Sequence, residues 1–425
     1  MMAVSFVRLL GRLVRKGNLE IETADGNIHR FGDGSGPLLG AKLADRAAER
    51  ELLLNPALSL GELYVSGRLV VTKGSLYDLL ELGAKNLSDL KGFVWVKALD
   101  KTRFVFRSLH QRNDRRRARS HIAQHYDLDA RLYRLFLDSD LQYSCAYFER
   151  PGQALDDAQL AKKRHIAAKL MLADGASVLD IGCGFGGMAL YLARICGAKV
   201  TGVTLSEEQL VVASDRAKQS GLSHRLDFRL QDYRDVRETF DRIVSVGMFE
   251  HVGAPGYDEY FEAVKRLLKD DGVMLLHSIG RNSVPGVTNP WIRKYIFPGG
   301  YIPSLSEVLP AVERAGLFVT DVEVLRLHYA DTLRAWRERF MANRDTAAKM
   351  YDERFCRMWE FYLAGSETSF RVGGNMVFQL QIAKGQDAVP LTRDYVLARE
   401  AEFRRREAEL RGDDAAVQPL RHAAE

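Results

Sequence analysis

Residues 179–187, LDIGCGFGG, determine the fold class that this sequence predicts. They end an apolar strand pattern and open a helical one. Glycines at positions 182, 184 and 186 let the backbone turn tightly and approach a ligand closely. A strand, a glycine turn and a helix in this order are typical of the first unit of a doubly wound parallel sheet, where ligands bind at the carboxyl ends of the strands.

Strand and helix patterns alternate after this turn, which predicts a Rossmann-like α/β sheet. The predicted elements are strands at 198–205, 226–233, 240–247 and 272–280, and helices at 206–221 and 257–272. The strand at 240–247 leads into IVSVGMFEHVG (243–253), which places Glu250 and His251 at the carboxyl end of the sheet.

The glycine turn fits S-adenosylmethionine better than a dinucleotide. Gly182, Gly184 and Gly187 satisfy G-x-G-x-x-G, so a dinucleotide enzyme is the alternative. However, Asp180 suits a cationic ligand and not a pyrophosphate, and the next strand lacks the acidic residue that would bind a dinucleotide ribose. S-adenosylmethionine has no phosphate and carries a sulfonium charge. Asp232 is placed to meet its adenine, or else it caps a turn. We therefore predict a class I methyltransferase sheet.

Six motifs, in this order along the chain, resemble the cyclopropane-fatty-acyl-phospholipid synthase family, which includes the mycolic acid cyclopropane synthases. The motifs are QYSCAYF (142–148), GVTLSEEQ (202–209), LQDYRD (230–235), IVSVGMFEHVG (243–253), YIFPGGYIPS (295–304) and HYADTLRAWRERF (328–340). The resemblance runs from about residue 118 to 383. Residues 1–110 also resemble the extra N-terminal domain of the bacterial phospholipid enzymes, less sharply.

The resemblance implies a set of donor-binding residues, drawn from QYSC, the glycine turn, TLS..Q and QDY. They are Tyr143, Ser144, Asp180, Gly182, Gly184, Gly186, Thr204, Leu205, Ser206, Gln209, Asp232 and Tyr233.

The resemblance also implies the reaction and its catalytic residues. Family members methylate a carbon–carbon double bond, and a proton must then leave the new methyl group to close a ring. The base in the family is thought to be a bound bicarbonate. The residues that hold it correspond here to Cys145, Glu250, His277 and Tyr329, with Ile279 contributing its backbone. The neighbouring His251 is expected to support the loop.

One position departs from some family members, which carry a cysteine that older proposals treated as a nucleophile. Ser366 stands there in this chain, which argues against a covalent cysteine mechanism.

The chain of 425 residues is expected to form three regions. Residues 1–105, with a hairpin around Asp25-Gly26, would be a smaller mixed domain for lipid or membrane association or for dimerisation. Residues 106–395 would be the methyltransferase domain, including a helical lipid-binding insertion rich in aromatic residues at 285–363. Residues 396–425 would be a charged tail.

The predicted partners are a phospholipid bilayer surface and an unsaturated acyl phospholipid, with a homodimer possible and no nucleic acid. Arginines concentrated at 103–120 and a basic amphipathic helix at the N-terminus suit phospholipid headgroups, although a solvated linker has the same composition. Arg8 and Arg12 interrupt what would be the apolar part of a signal peptide. We expect a cytoplasmic enzyme at the inner face of the membrane.

The four cysteines form no C-x-x-C pair, so neither a disulfide framework nor a metal site is predicted. Three alternatives stay open from the sequence. The same site could yield a methyl- or methylene-branched lipid, the chain could be a small-molecule N-methyltransferase, or it could be a lipid-binding module without activity.

Overall fold

The structure is a computed structural model, and it describes residues 6–88, Phe104 and residues 129–412. Two sheets organise these residues. The smaller sheet has the strand order β2-β1-β3-β4 and the larger has the order β10-β11-β9-β8-β5-β6-β7. The strands are β1 Asn18–Glu22, β2 Ile28–Phe31, β3 Leu38–Leu43, β4 Leu69–Lys73, β5 Ser177–Ile181, β6 Lys199–Thr204, β7 Leu226–Leu230, β8 Phe240–Val246, β9 Leu268–Arg281, β10 Phe318–Val324 and β11 Asn375–Ala383.

Helices cover both sheets, and those between β9 and β11 form a cap over the carboxyl ends of the central strands. The helices are α1 Phe6–Leu13, α2 Arg46–Leu54, α3 Pro56–Val65, α4 Leu76–Ser88, α5 Ala130–Arg134, α6 Leu155–Leu170, α7 Gly187–Cys196, α8 Glu207–Gln219, α9 Tyr257–Leu267, α10 Pro290–Tyr295, α11 Leu305–Arg314, α12 His328–Ala342, α13 Arg344–Met350, α14 Glu353–Arg371 and α15 Asp394–Arg411.

The larger sheet confirms the predicted class I methyltransferase fold. Strands β5 to β9 pair in parallel, and their central members are buried apolar runs, as expected for a sheet covered on both faces. The strand order reverses between β5 and β8, and the glycine turn follows β5. This is the position where such sheets bind ligands.

Two stretches differ from the sequence-based expectation. The helix predicted at 257–272 ends at Leu267, because Leu268 pairs with Phe240 and the chain continues as β9. The antiparallel pair β10 and β11, which the strand patterns did not predict, extends the sheet beyond β9.

The N-terminal residues form a compact module around the smaller sheet, which we call the N-terminal module (residues 6–88). The predicted Asp25-Gly26 hairpin is confirmed, since β1 and β2 pair antiparallel across it. The module packs on the helical cap through α3 and α4, which contact α14. Tyr64 donates a 2.8 Å hydrogen bond to Glu360 across this boundary.

The predicted boundary near residue 105 and most of the arginine-rich stretch at 103–120 lie outside the described residues, so the domain limits stay a prediction. Within the described part of the chain, no helix combines the length and apolar character that crossing a membrane requires.

Candidate active site

The glycine turn after β5 opens a cavity of about 770 Å³ at the carboxyl ends of β5, β6 and β8. Gly182 has a φ of +81°, and a Cβ there would lie 2.8 Å from the side chain of Met248. Gly184 has a φ of +53°, and a Cβ built on it meets no atom within 4 Å. The first glycine is therefore required by packing, and the second leaves space in the cavity.

Most of the predicted donor-binding residues line this cavity. They are Tyr143, Ser144, Asp180, Gly182, Gly184, Thr204, Leu205, Gln209, Asp232 and Tyr233. The two remaining predicted residues, Gly186 and Ser206, do not line it. Gly186 begins α7 in a left-handed conformation, and the Ser206 hydroxyl accepts a hydrogen bond from the Gln209 amide at the start of α8.

The two acidic residues of this cavity have different surroundings. Asp180 is buried, and its Oδ2 has no hydrogen-bond partner among the described residues. Burial raises the pKa of Asp180 to about 7, so a bound cation would favour its ionised form. Asp232 instead pairs with Arg234 and accepts a hydrogen bond from its amide. Asp232 therefore does cap a turn, and an adenine contact for it stays a prediction.

Lys162 of α6 is a residue that sequence reasoning missed. Its ammonium group is completely buried and donates to Gln142 Oε1 at 2.6 Å and to Ser144 Oγ at 2.8 Å. Burial lowers the pKa of Lys162 to about 8. The lysine thus fixes two residues of the QYSC segment, Gln142 and Ser144, that line the cavity.

A second cavity, of about 930 Å³ and mainly apolar, adjoins the first. The two share four lining residues, which are Tyr143, Ser144, Gly247 and His251. All five predicted catalytic residues line the apolar cavity, namely Cys145, Glu250, His277, Ile279 and Tyr329. Titratable groups therefore lie where a polar chamber meets an apolar one.

Glu250 is held at the junction by the neighbouring strand. Its Oε1 accepts a 2.7 Å hydrogen bond from the Ile279 amide, whereas its Oε2 is buried without a partner among the described residues. Burial raises the pKa of Glu250 to about 7. The backbone of Ile279 thus orients this carboxylate, and one oxygen is left for a ligand.

His277 is oriented by a buried chain of polar side chains. The Lys169 ammonium can only donate, and it donates to Gln379 Oε1 at 2.9 Å. The Gln379 amide nitrogen must then face His277, where it lies 3.2 Å from Nδ1. Nδ1 accepts this hydrogen bond, so the proton of the neutral ring resides on Nε2. Burial lowers the pKa of His277 to about 3, which keeps the ring neutral.

The buried row of polar side chains that begins at His277 continues away from the cavity beyond Lys169. Lys169 forms an ion pair with Glu323, which also lies 2.7 Å from His165 Nε2. The other ring nitrogen of His165 lies 2.6 Å from Glu400 of α15. Buried charges stabilise a fold only when they are paired, and here each has a partner.

The cysteines near the site do not behave as nucleophiles. Cys145 is buried, and burial raises its pKa above the ordinary range, so it stays a neutral thiol. Ser366 lines the apolar cavity, and Cys356 belongs to the hydrophobic core. A covalent cysteine mechanism is therefore disfavoured, as the sequence predicts.

The aromatic residues of the 285–363 region fall into two groups, one at the apolar cavity and one in the hydrophobic core. One group lines the apolar cavity: Trp291, Phe297, Tyr301, Tyr329, Phe361 and Tyr362. Another packs in the core of the cap: Tyr295, Trp336, Phe340, Tyr351, Phe355 and Trp359. Aromatic faces along the cavity would stabilise a developing positive charge.

Comparison with known proteins identifies relatives along most of the chain. Residues 113–380 match the family described as mycolic acid cyclopropane synthetase. The chain is 44% identical over 262 residues to the cyclopropane-fatty-acyl-phospholipid synthase of Escherichia coli strain K12, an alignment that covers 62% of this chain and 67% of that protein. It is 36% identical over 387 residues to the tuberculostearic acid methyltransferase UfaA1 of Mycobacterium tuberculosis, covering 88% and 89% of the two chains.

A solved structure is also similar. The mycolic acid cyclopropane synthase CmaA1, complexed with SAH and CTAB, aligns with a TM-score of 0.60 and 36% sequence identity. That alignment covers 63% of this chain and 98% of CmaA1.

Proposed function

Since this chain belongs to the mycolic acid cyclopropane synthetase family, we propose that it transfers a methylene group from S-adenosylmethionine to the double bond of an unsaturated acyl chain in a phospholipid, forming a cyclopropane ring. The chain is an S-adenosylmethionine-dependent C-methyltransferase. The phospholipid substrate, the cyclopropane product and the base belong to the proposal.

The observation that carries the proposal is the junction of the two cavities. The donor supplies a methyl group on a sulfonium; the π electrons of the alkene form the new carbon–carbon bond as the carbon–sulfur bond breaks, and loss of a proton from that methyl closes the ring. This chemistry needs a polar chamber open to an apolar one. Tyr143, Ser144, Gly247 and His251 form the shared wall, and the apolar side excludes water from the reacting atoms.

The catalytic residues also fit a small anion that acts as the base. The tautomer fixed by Gln379 turns the Nε2–H of His277 into a donor, and the partnerless Oε2 of Glu250 is an acceptor. We propose that these two groups, with Tyr329, would hold bicarbonate. When bound, it would supply the base that removes the proton.

The product distinguishes this function from its alternatives. Purified protein would be incubated with dioleoyl phosphatidylglycerol vesicles and a donor with a deuterated methyl group. We expect acyl chains that gain one methylene, have lost one deuteron and resist ozonolysis. A methyl-branched product would keep every deuteron, and the double bond of a methylene-branched product would be cleaved by ozone. Either result, or no lipid product, would contradict cyclopropane formation.

The bicarbonate role makes a separate prediction. Activity should fall strongly in carefully decarbonated buffer and return when bicarbonate is added, because the neutral His277 and the protonated thiol of Cys145 are poor bases. Turnover would be measured under argon across a bicarbonate titration, with chloride as the control anion. Full activity without bicarbonate would mean that a side chain is the base.

Gln379 is predicted to be a positioning residue for His277. In Gln379→Leu, the ring loses the hydrogen bond that selects its tautomer, and the buried Lys169 loses an acceptor. Leaving buried groups unsatisfied costs about 1–3 kcal/mol, so we expect kcat to fall roughly 5- to 150-fold. Donor affinity should change little, because Gln379 does not line the donor cavity.

Gln381 provides the matched control for this prediction. It is also buried, lies two residues along β11, and hydrogen-bonds the Lys169 carbonyl and Tyr395 but not His277. Gln381→Leu should therefore affect stability and not the tautomer. The ¹⁵N shifts of His277 would report the tautomer directly, and an unchanged ring spectrum in Gln379→Leu would refute the positioning role.

A further inference from the structure

The apolar cavity does not end at the catalytic residues. Its lining passes from α14 to α4, which pack against each other, and continues into the N-terminal module. Seven elements of that module contribute apolar side chains, which include Leu13 of α1, Ile21 of β1, Leu43 of β3, Leu53 of α2, Leu60 of α3, Leu69 of β4 and Leu82 of α4.

The cavity extends between apolar side chains of the N-terminal module, beside the module's own hydrophobic core. Leu53, Leu60 and Leu82 are only partly buried although they line the interior of the cavity. Side chains that line an unfilled apolar space lose van der Waals contacts, which lowers the stability of the fold. Small domains are only marginally stable, so such a loss matters more for them. An apolar cavity of this kind binds apolar ligands.

Two glycines keep this space open. Gly83 lies inside α4 and Gly365 inside α14, and both line the cavity. Glycine is ~0.8–1.0 kcal/mol less favourable than alanine in a helix interior. Neither residue has a positive φ, and a Cβ at either position meets no atom within 4 Å. Backbone conformation and packing therefore do not require these glycines, whereas an open lumen does.

The chemistry of the wall restricts the occupant. Among the described residues of the N-terminal module that line the cavity, Asn86 is the polar one. Its side chain is engaged, since its oxygen accepts from the Arg15 and Lys16 amides and its nitrogen donates to the Lys16 and Leu82 carbonyls. A headgroup buried here would find no hydrogen-bond partner, and that costs several kcal/mol. Hydrocarbon has no such cost.

We propose that the N-terminal module is an acyl-chain site, which holds the methyl-terminal hydrocarbon of the chain whose double bond lies at the catalytic residues. The inference rests on the proposed function, because the occupant is the substrate of that reaction. The continuity of the cavity with Cys145, Glu250 and Tyr329 argues for this occupant.

Filling the lumen tests the site. Gly83→Leu and Gly365→Leu replace a poor helix former by a good one, so both variants should fold with an unchanged or higher Tm. Each methylene denied burial costs about 0.8 kcal/mol, so we expect kcat/KM on dioleoyl phosphatidylglycerol vesicles to fall roughly 10-fold or more. Chains with the same carboxyl-to-double-bond length but shorter methyl ends should be affected less.

Gly11→Leu is the matched control. Gly11 is also a helical glycine of the N-terminal module, but it is exposed on α1 and does not line the cavity. This variant should keep wild-type kcat/KM at every chain length. Equal chain-length dependence in Gly83→Leu and the wild type would overturn the proposal.

A binding experiment without donor separates this site from the reaction. We expect cis-parinaric acid, a fluorescent unsaturated fatty acid, to bind the wild type and Gly11→Leu but to bind Gly83→Leu more weakly. If it binds in this pattern while no lipid product forms, the chain site stands and the proposed function fails. If the wild type does not bind it, the lumen does not take acyl chains and the proposal is wrong.

Discussion

Glu250→Gln is expected to lower kcat by up to ~10²–10⁴-fold, the range that a general base typically contributes, because the variant would lose the carboxylate proposed to hold the bicarbonate base. The amide keeps the shape of the side chain and can keep the contact with the Ile279 amide, but it removes the negative charge and the acceptor at Oε2. Donor binding should persist, because Glu250 lines the apolar cavity and not the donor cavity. Single-turnover rates and calorimetric donor titrations would measure both.

The same variant should change the pH profile. Burial raises the pKa of Glu250 to about 7, so the free enzyme loses the carboxylate as pH falls below that value. The acid limb of kcat/KM for the lipid, measured at saturating donor so that the bound cation keeps Asp180 ionised, should therefore fall below about pH 7 in the wild type and flatten in Glu250→Gln. Glu407→Gln is the control, since Glu407 is a buried, ion-paired glutamate of α15 far along the chain from the site. Wild-type turnover in Glu250→Gln would exclude a role for the charge.

Gly184→Val is expected to weaken donor binding strongly while the protein stays folded. The Cβ of this residue would enter open space that belongs to the donor cavity, so the side chain competes with the ligand and not with protein atoms. Overpacking a filled site costs about 1–3 kcal/mol, which corresponds to a loss of roughly 5- to 150-fold in affinity. Calorimetry with S-adenosylmethionine would measure this loss.

The backbone contributes a second effect that must be subtracted. A left-handed conformation costs an ordinary residue about 1–2 kcal/mol, and Gly184 has a φ of +53°. Gly221 is the control, because it has a φ of +70°, open space around its Cβ and no place in the donor cavity. Gly221→Val should lose similar stability and keep donor affinity. Donor binding at the wild-type level in Gly184→Val would refute the assignment of this cavity.

The central sheet and the glycine turn could be predicted because their signals are local. An apolar run, a glycine turn and a helical repeat fix β5 and α7 without any distant contact. The start of β9 could not be predicted, because Leu268–Gly272 continues a helical composition and only pairing with β8 turns it into a strand. Strands β10 and β11 depend in the same way on partners far along the chain.

The site was predictable where motifs carry it and not where packing does. Glu250 follows one predicted strand and His277 lies near the end of another, whereas Lys162, Lys169 and Gln379 are polar residues within a helix and a strand. A sequence gives such residues a solvated face by default. One signal was present, since Lys162, His165 and Lys169 have the spacing that places residues on one helix face. Only the structure shows that this face is buried against the sheet.

The shared wall between the two cavities has a consequence for inhibitor design. Gly247 contributes no side chain to this wall, so a compound that spans both cavities would meet one side chain fewer there. A compound with a nucleoside head and an alkyl tail would occupy both chambers and lose its overall translational freedom only once. Beyond Glu250 and His277 its tail would meet the apolar wall of the N-terminal module, whereas its head would meet Asp180. The alkyl tail would then provide selectivity over other methyltransferases, and the covalent connection between head and tail would increase affinity.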